Sequence, residues 1–274
     1  IEKPTSHIST DGIYAYYTFD KNRAILTLET DLISDQTMEI CHQLYDHDEL
    51  VVEFNGQVSK QQHKTDIIVD NPNLWSIKTP HLYELKSRLY KDNLIFDEVT
   101  QMIGFKKIEM SPNSGLILNG EKIKLHGVCE HHDLGALGAA FHKETLKNRL
   151  VMLKNMGVNA IRTGHSIPAK GLMELADELG FFIASDAFDV WKKPKTTYDY
   201  ARFFDEWIDK DIRSWVMRDR NHVSLLMWSV GNEIYDTHVD LKGVTLTHKL
   251  LKTIREYDKS ENAIVTIGSN FLMG

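Results

Sequence analysis

Up to about Met110 the apolar positions fall in short runs: AYYTFD (15–20), AILTLET (24–30), TMEICHQLYD (37–46), LVVEFNG (50–56), TDIIVDN (65–71), LYELKSRLY (82–90) and FDEVTQMIGF (96–105). Each is rich in β-branched or aromatic residues and bounded by Asp, Asn, Gly or Lys, as strands are. Leu26, Leu28 and Thr30, and then Met38, Ile40 and His42, repeat at every second position, the period of a half-buried strand. Seven such strands in roughly 100 residues predict an immunoglobulin-like β-sandwich over residues 1–110. No Cys–Trp–Cys pattern marks an antibody-type domain, and Pro72, Trp75 and Pro80 predict a loop between two strands.

After SPNSG (111–115) the rhythm changes, and residues 111–274 read as a second domain. Apolar runs IKLHGV (123–128), VNAIRTG (158–164), FFIASDAF (181–188), LLMWSVGNE (225–233) and AIVTIGS (263–269) alternate with helical patterns. The first pattern, KETLKNRLVMLKNMG, places Leu146, Leu150, Leu153 and Met156 on one face and stops at Gly157. The second opens at Pro168, carries Leu172, Leu175 and Leu179, and stops at Gly180. A third carries Ile208, Ile212, Trp215 and Val216, and a fourth Leu246, Leu250, Leu251 and Ile254. Strand–helix alternation of this kind predicts a parallel sheet, so the chain is expected to be multidomain, β followed by α/β.

Composition narrows the classes. The chain has 274 residues, 42% hydrophobic and 26% charged, which excludes a disordered, collagenous or disulfide-scaffold protein. With 32 Lys+Arg against 39 Asp+Glu the net charge is −7, so nucleic acid is not an expected partner. No apolar run reaches the roughly 18–20 residues that span a bilayer, so no membrane partner is expected. The opening IEKPTSHIST shows no charged-then-apolar leader. Cys41 and Cys129 fall in different predicted domains and read as free thiols. The compartment stays open, with a periplasmic or extracellular location favoured over the cytoplasm.

Each predicted parallel strand finishes in residues a core does not need: Cys129-Glu130-His131-His132-Asp133, Arg162-Thr163-Gly164-His165, Ser185-Asp186-Ala187-Phe188-Asp189-Val190-Trp191 and Gly231-Asn232-Glu233. In α/β folds the C-terminal ends of parallel strands hold the active site. Solvent exposure alone would account for any one of these clusters, but less readily for all four.

The segments LNGEKIKLHGVCEHHDLGALG, NAIRTGHSIP, LADELGFFIASDAF and RDRNHVSLLMWSVGNE, between Asn119 and Glu233, resemble glycoside hydrolase family 2, which contains β-galactosidases, β-glucuronidases and β-mannosidases. The HHDLGALG variant is most similar to bacterial β-galactosidases. The resemblance implies that the second domain is the N-terminal part of a (β/α)8 TIM barrel. It also implies a retaining β-glycosidase acting on a carbohydrate such as a β-galactoside. In that class two carboxyls stand about 5–5.5 Å apart, one as acid/base and one as nucleophile. Glu233 then matches the general acid/base, and Asn232 the residue that hydrogen-bonds the hydroxyl next to the reacting carbon; a turn-fixing amide is its structural alternative. His131 and His165 match histidines lining the sugar subsite, with satisfied structural histidines as the alternative. Asp133 matches a position that binds sugar hydroxyls in some members, and reads equally as a loop cap. Arg162 and Asp186 read as an ion pair holding the pocket floor. Trp191 is either a stacking platform for a sugar face or a wall between barrel and loop.

The histidines also invite a metal. Adjacent residues of a strand point to opposite faces, so His131 and His132 are poorly placed to share an ion. Some family members carry a magnesium ligand after the third strand, where this chain has Val190. No catalytic metal and no cofactor are therefore expected. A full barrel takes about 250 residues, far more than lie between Ser111 and Gly274. The resemblance places the nucleophilic Glu on a later strand and a sugar-binding jelly-roll before the sandwich. The chain is thus expected to be a piece of a larger enzyme, inactive alone and self-associating through the open edge of its fifth strand. The competing readings are a β-glucuronidase of the same family, a non-catalytic carbohydrate-binding or interaction module, and a metallo-hydrolase barrel.

Overall fold

The computed structural model describes residues 5–58, 61–237, 241–260 and 263–269. The chain divides into two compact units. One comprises Ile1–Lys107 with Leu118–Gly120 and Asn221–Val223; the other comprises Ile108–Ile117, Glu121–Arg220 and Ser224–Gly274.

The first unit contains seven strands: β1 (His7–Asp20), β2 (Arg23–Ile33), β3 (Met38–Asp46), β4 (Glu49–Val58), β5 (Gln62–Asp70), β6 (Tyr83–Lys91) and β7 (Leu94–Ile103). They pair antiparallel in two sheets, ordered β1-β2-β5 and β4-β3-β6-β7. The period-two pattern is what builds the core. Leu26, Leu28, Ile67 and Val69 from one sheet meet Leu44, Tyr83, Leu85 and Ile103 from the other. Each fully buried aliphatic side chain of this kind contributes about 1.5–3 kcal/mol. The expected loop around Pro72–Pro80 is present, and it is anchored: Trp75 is buried, and its backbone N–H donates to Phe105 O at 2.7 Å. His42 continues the inward face of β3 as a fully buried imidazole, 2.8 Å from Ser87 Oγ and 3.4 Å from Thr30 Oγ1. Burial, with His63 nearby, pushes its pKa down to about 4.

Next along the chain comes a small antiparallel sheet absent from the sequence reading: β8 (Ile108–Ser111), β9 (Gly115–Leu118) and β10 (Glu121–Ile123). Asn119 and Gly120, at φ 53° and 85°, form the turn between its last two strands, the left-handed pair that a tight hairpin requires. The run 123–128 is consequently divided. Ile123 ends β10, and Asn159 takes up the connecting backbone: its Oδ1 accepts from His126 N at 2.8 Å and its Nδ2 donates to Lys124 O at 2.9 Å.

Beyond it run β11 (Gly127–His131), α1 (Lys143–Asn155), β12 (Ala160–Gly164), α2 (Lys170–Leu179), β13 (Phe182–Asp186), α3 (Phe204–Asp219), β14 (Leu225–Asn232), α4 (Leu241–Tyr257) and β15 (Ile264–Gly268). The five strands are parallel and ordered as in the sequence, as in the first part of a TIM barrel. The helical periodicity is used as expected at Leu146, Leu150, Leu172, Leu175, Ile208, Ile212, Trp215, Val216, Leu250 and Ile254, all buried. Met156 is the exception, 78% exposed. It sits at the C-cap of α1, past the last helical residue, where the helix face no longer continues. Gly157 and Gly180 follow with φ 88° and 74°, the left-handed stops that glycine permits. Where an indole is buried its N–H is satisfied, Trp215 on Ser185 Oγ at 3.0 Å and Trp228 on Asp258 Oδ2 at 2.8 Å. No described helix is long and apolar enough to cross a membrane.

Candidate active site

Strand alternation sorts the barrel side chains into two faces. Val128, Ile161 and Ile183 join the apolar cluster under α1 and α2, while Trp228 and Val230 join that under α3 and α4. Glu130 turns the same way, pairing with Arg149 of α1. The opposite face carries His131, Arg162 and Asp186, and the strand register brings His131 beside Gly164. A Cβ at Gly164 would stand 3.1 Å from the His131 ring, so a larger residue there would push the imidazole aside.

These groups form one continuous chain of contacts. The His131 and His165 rings meet edge to face with centroids 5.5 Å apart. His165 Nδ1 lies 3.1 Å from Asp186 Oδ2, and Arg162 Nη2 donates to the same oxygen at 2.6 Å. Asp186 is fully buried, with its backbone N–H on Thr163 Oγ1 at 2.8 Å. Arg162 Nη2 also donates to Asn232 Oδ1 at 3.0 Å. Asn232 Nδ2 donates to Asp189 Oδ1 at 2.8 Å, and Lys195 Nζ binds both Asp189 Oδ1 (3.0 Å) and Asn232 O (2.9 Å).

The amide of Asn232 is oriented by this chemistry. Arg162 can only donate and a carboxylate such as Asp189 only accepts, so Oδ1 faces the first and Nδ2 the second. One amide hydrogen remains for another acceptor. The next residue, Glu233, has an exposed side chain and left-handed backbone, φ 49°. Its N–H donates to Gly268 O at 2.7 Å, and Asn232 N–H to Phe188 O at 2.9 Å. A non-glycine residue in this conformation costs about 1–3 kcal/mol and persists where its surroundings fix it, commonly at functional sites. Gly268 serves twice: besides accepting from Glu233, it leaves room for Arg162, whose Nη2 would be 2.7 Å from a Cβ there.

For two sequence-predicted site residues, Trp191 and Asp133, the structure bears on the choice between their two readings. Trp191 is fully buried, its indole N–H donating to Val230 O at 2.8 Å and its ring packed with Phe204. A ring without an exposed face cannot stack on a sugar, so of its two readings the wall replaces the platform. Asp133 is exposed and caps its own loop, Oδ1 accepting from Gly135 N at 2.5 Å. With His131 and His132 it lines a cleft closed by Phe141, Pro168 and Leu172, which Asn232 and Glu233 do not line. Val190 is buried, and offers no metal ligand. The RDRNH run is largely a frame. Arg218 grips the buried Asp219 with two bonds of 2.6 Å and also donates to Pro168 O at 2.7 Å, while Arg220 donates to Tyr257 O at 2.8 Å. Asp189 and Lys195, which hold Asn232, were not among the predicted site residues. Asp189 lies in a strand-end cluster, but Lys195 sits in a long loop that no local pattern links to the site.

A parallel sheet whose strand ends present histidines, an Arg–Asp pair and an Asn-Glu tip has the form of an α/β-barrel active site. Residues 109–267 match the family model "Glycosyl hydrolases family 2, TIM barrel domain", and residues 6–106 match "Glycosyl hydrolases family 2". The chain belongs to glycosyl hydrolase family 2. It is 34% identical over 273 residues to the β-galactosidase BoGH2A of Bacteroides ovatus, covering 96% of this chain and 32% of that protein. A β-glucuronidase of Bacteroides fragilis is 27% identical, with 73% and 30% covered. The crystal structure of a family 2 member from Bacteroides cellulosilyticus superposes with a TM-score of 0.93 at 31% identity, covering 99% of this chain and 36% of that one. The chain thus spans about a third of the length of these relatives.

Proposed function

We propose that this chain forms part of a retaining β-glycosidase, with a β-galactoside as the substrate and Glu233 as its general acid/base. The observation that carries the reading is the setting of Glu233. Its backbone and that of Asn232 are tied on both sides, while its side chain is exposed at the end of β14. Glu233 first gives its proton to the departing glycosidic oxygen and then takes one from the attacking water. Asn232 offers its remaining amide hydrogen to the neighbouring sugar hydroxyl, on an amide locked by Arg162 and Asp189. His131 and His165 are assigned to the same sugar subsite because their contacts run through Asp186 and Arg162 to Asn232, with Asp186 orienting His165. In this reading the chain contributes the acid/base half of the carboxyl pair. The B. fragilis relative supports a β-glucuronide as the second reading. The test compares nitrophenyl β-galactoside with nitrophenyl β-glucuronide, using the polypeptide that carries this chain and its Glu233→Gln variant. Galactoside turnover that falls roughly 10²–10⁴-fold in the variant is expected; turnover unaffected by the substitution overturns the reading, and a glucuronide preference moves it to the second.

A further inference from the structure

The sandwich brings together three side chains that the barrel chemistry leaves unused. Asp46 ends β3, His47 lies in the turn to β4, and His81 precedes β6. One donor atom from each lies within 4.8 Å of the other two. Asp46 Oδ1 is 3.1 Å from His81 Nε2 and 3.8 Å from His47 Nε2. Ligands on a tetrahedral zinc, with bonds of about 2.0–2.2 Å, stand ~3.3–3.6 Å apart, so the two separations from Asp46 Oδ1 fall on either side of that range.

A second observation points the same way. Asp46 Oδ1 and His81 Nε2 are both shielded from solvent, yet neither makes a hydrogen bond. They are close enough for one and lack its alignment, so the ring nitrogen is not aimed along the line to the oxygen. The two atoms face each other as an ion pair at 3.1 Å without a hydrogen bond between them, and shielded polar atoms that lack one are rare; a cation shared between them satisfies both. The surroundings also orient the donors. Asp46 Oδ2 accepts from Asn73 Nδ2 at 3.1 Å, and Asn73 N–H donates to Tyr83 Oη at 2.7 Å. The His81 ring meets Tyr83 edge-on at 4.9 Å. Partners of this kind fix first ligands in metal sites. His47 is 85% exposed, against 22% for Asp46 and His81, and its ring already meets that of His81 edge to face, with centroids 5.8 Å apart.

We infer that Asp46, His47 and His81 bind a divalent cation of the zinc class, through Oδ1 and the two Nε2 atoms, with water as the fourth ligand. Two imidazoles with one carboxylate select zinc over calcium or magnesium, which take oxygen ligands. The ion ties the β3–β4 turn to the segment before β6, and its role is structural. The inference does not depend on the glycosidase reading. The whole chain, carrying Cys129→Ser to remove an exposed thiol, is stripped with EDTA and titrated with Zn²⁺ by calorimetry and thermal melting. One Zn²⁺ per chain is expected, with a rise in Tm that EDTA reverses. His47→Gln, at an exposed position that leaves the fold intact, lowers the affinity at least about tenfold, His81→Gln does likewise, and Asn73→Leu costs roughly 10–100-fold. Absence of saturable binding, or equal affinity in wild type and His47→Gln, overturns the site.

Discussion

Asp186 is the residue on which both the stability of the barrel unit and the order of its strand ends depend. Its carboxylate is fully buried and its Oδ2 serves Arg162 and His165 together. Asp186→Ala leaves the guanidinium with Asn232 as its remaining side-chain partner. Removing one side of a buried pair costs about 3–5 kcal/mol, mainly from the stranded charge. The Arg162 side chain keeps 30% exposure and regains some water, which puts the loss near the lower limit, ~3 kcal/mol. For a domain of this size roughly 2–4 °C accompanies each kcal/mol, so Tm should fall by about 6–12 °C. Replacing both charges, as Arg162→Met with Asp186→Leu, removes the stranded ion and recovers at least about half of that loss. Urea melts followed by tryptophan fluorescence report mainly on this unit, which holds Trp191, Trp207, Trp215 and Trp228. A loss below about 1 kcal/mol for Asp186→Ala, or a double variant no more stable than the single one, would refute the argument.

Two further outcomes follow from the burial of polar groups. Trp191→Phe leaves Val230 O without its donor, so the unit loses about 1–3 kcal/mol while sugar affinity is unchanged; weaker sugar binding by a variant of native stability would restore the stacking role. In the sandwich, His42 has a folded pKa of about 4 against 6.5 ordinarily. Above pH 6.5 the imidazole is neutral folded and unfolded; as the pH falls from 6.5 towards 4 the unfolded chain takes up the proton and the folded one does not. Stability therefore declines on acidification by ~1.4 kcal/mol per pH unit, up to about 3 kcal/mol. His42→Gln removes that slope, and an identical slope in the variant shows that other groups produce it.

The sandwich was legible because its two faces differ. Alternation at Leu26–Leu28 and Met38–Ile40–His42 set each strand's inward side, and each of the seven predicted runs overlaps one observed strand, with ends that differ by one or two residues in most and with β1 and β5 starting earlier than predicted. The parallel strands were legible as apolar runs, since both faces of such a sheet are covered. The hairpin at 108–123 was passed over although its signal was present: Asn119-Gly120 between Leu118 and Ile123 is a tight-turn dipeptide in an apolar setting. Met156 kept the helical spacing but fell beyond the helix end, which periodicity alone does not mark. At the site, the resemblance supplied Glu233 and Asn232 by motif, and the Arg162–Asp186 pair could be read from polar residues at adjacent strand ends. Trp191 could not be decided from sequence, because an aromatic residue in a loop is buried or exposed according to tertiary packing. Lys195 carries no local signature at all; only the folded loop brings its ammonium to Asn232 O.

The proton carried by Glu233 is tested most directly by the leaving group. In the polypeptide that carries this chain, kcat/KM of wild type and Glu233→Gln is compared on a dinitrophenyl glycoside, whose leaving group departs without protonation, and on an alkyl glycoside, whose leaving group does not. Bond cleavage on the alkyl substrate should fall roughly 10²–10⁴-fold in the variant, with a far smaller loss on the dinitrophenyl one. Equal losses on the two substrates, or none on either, would contradict a proton-donating role for Glu233.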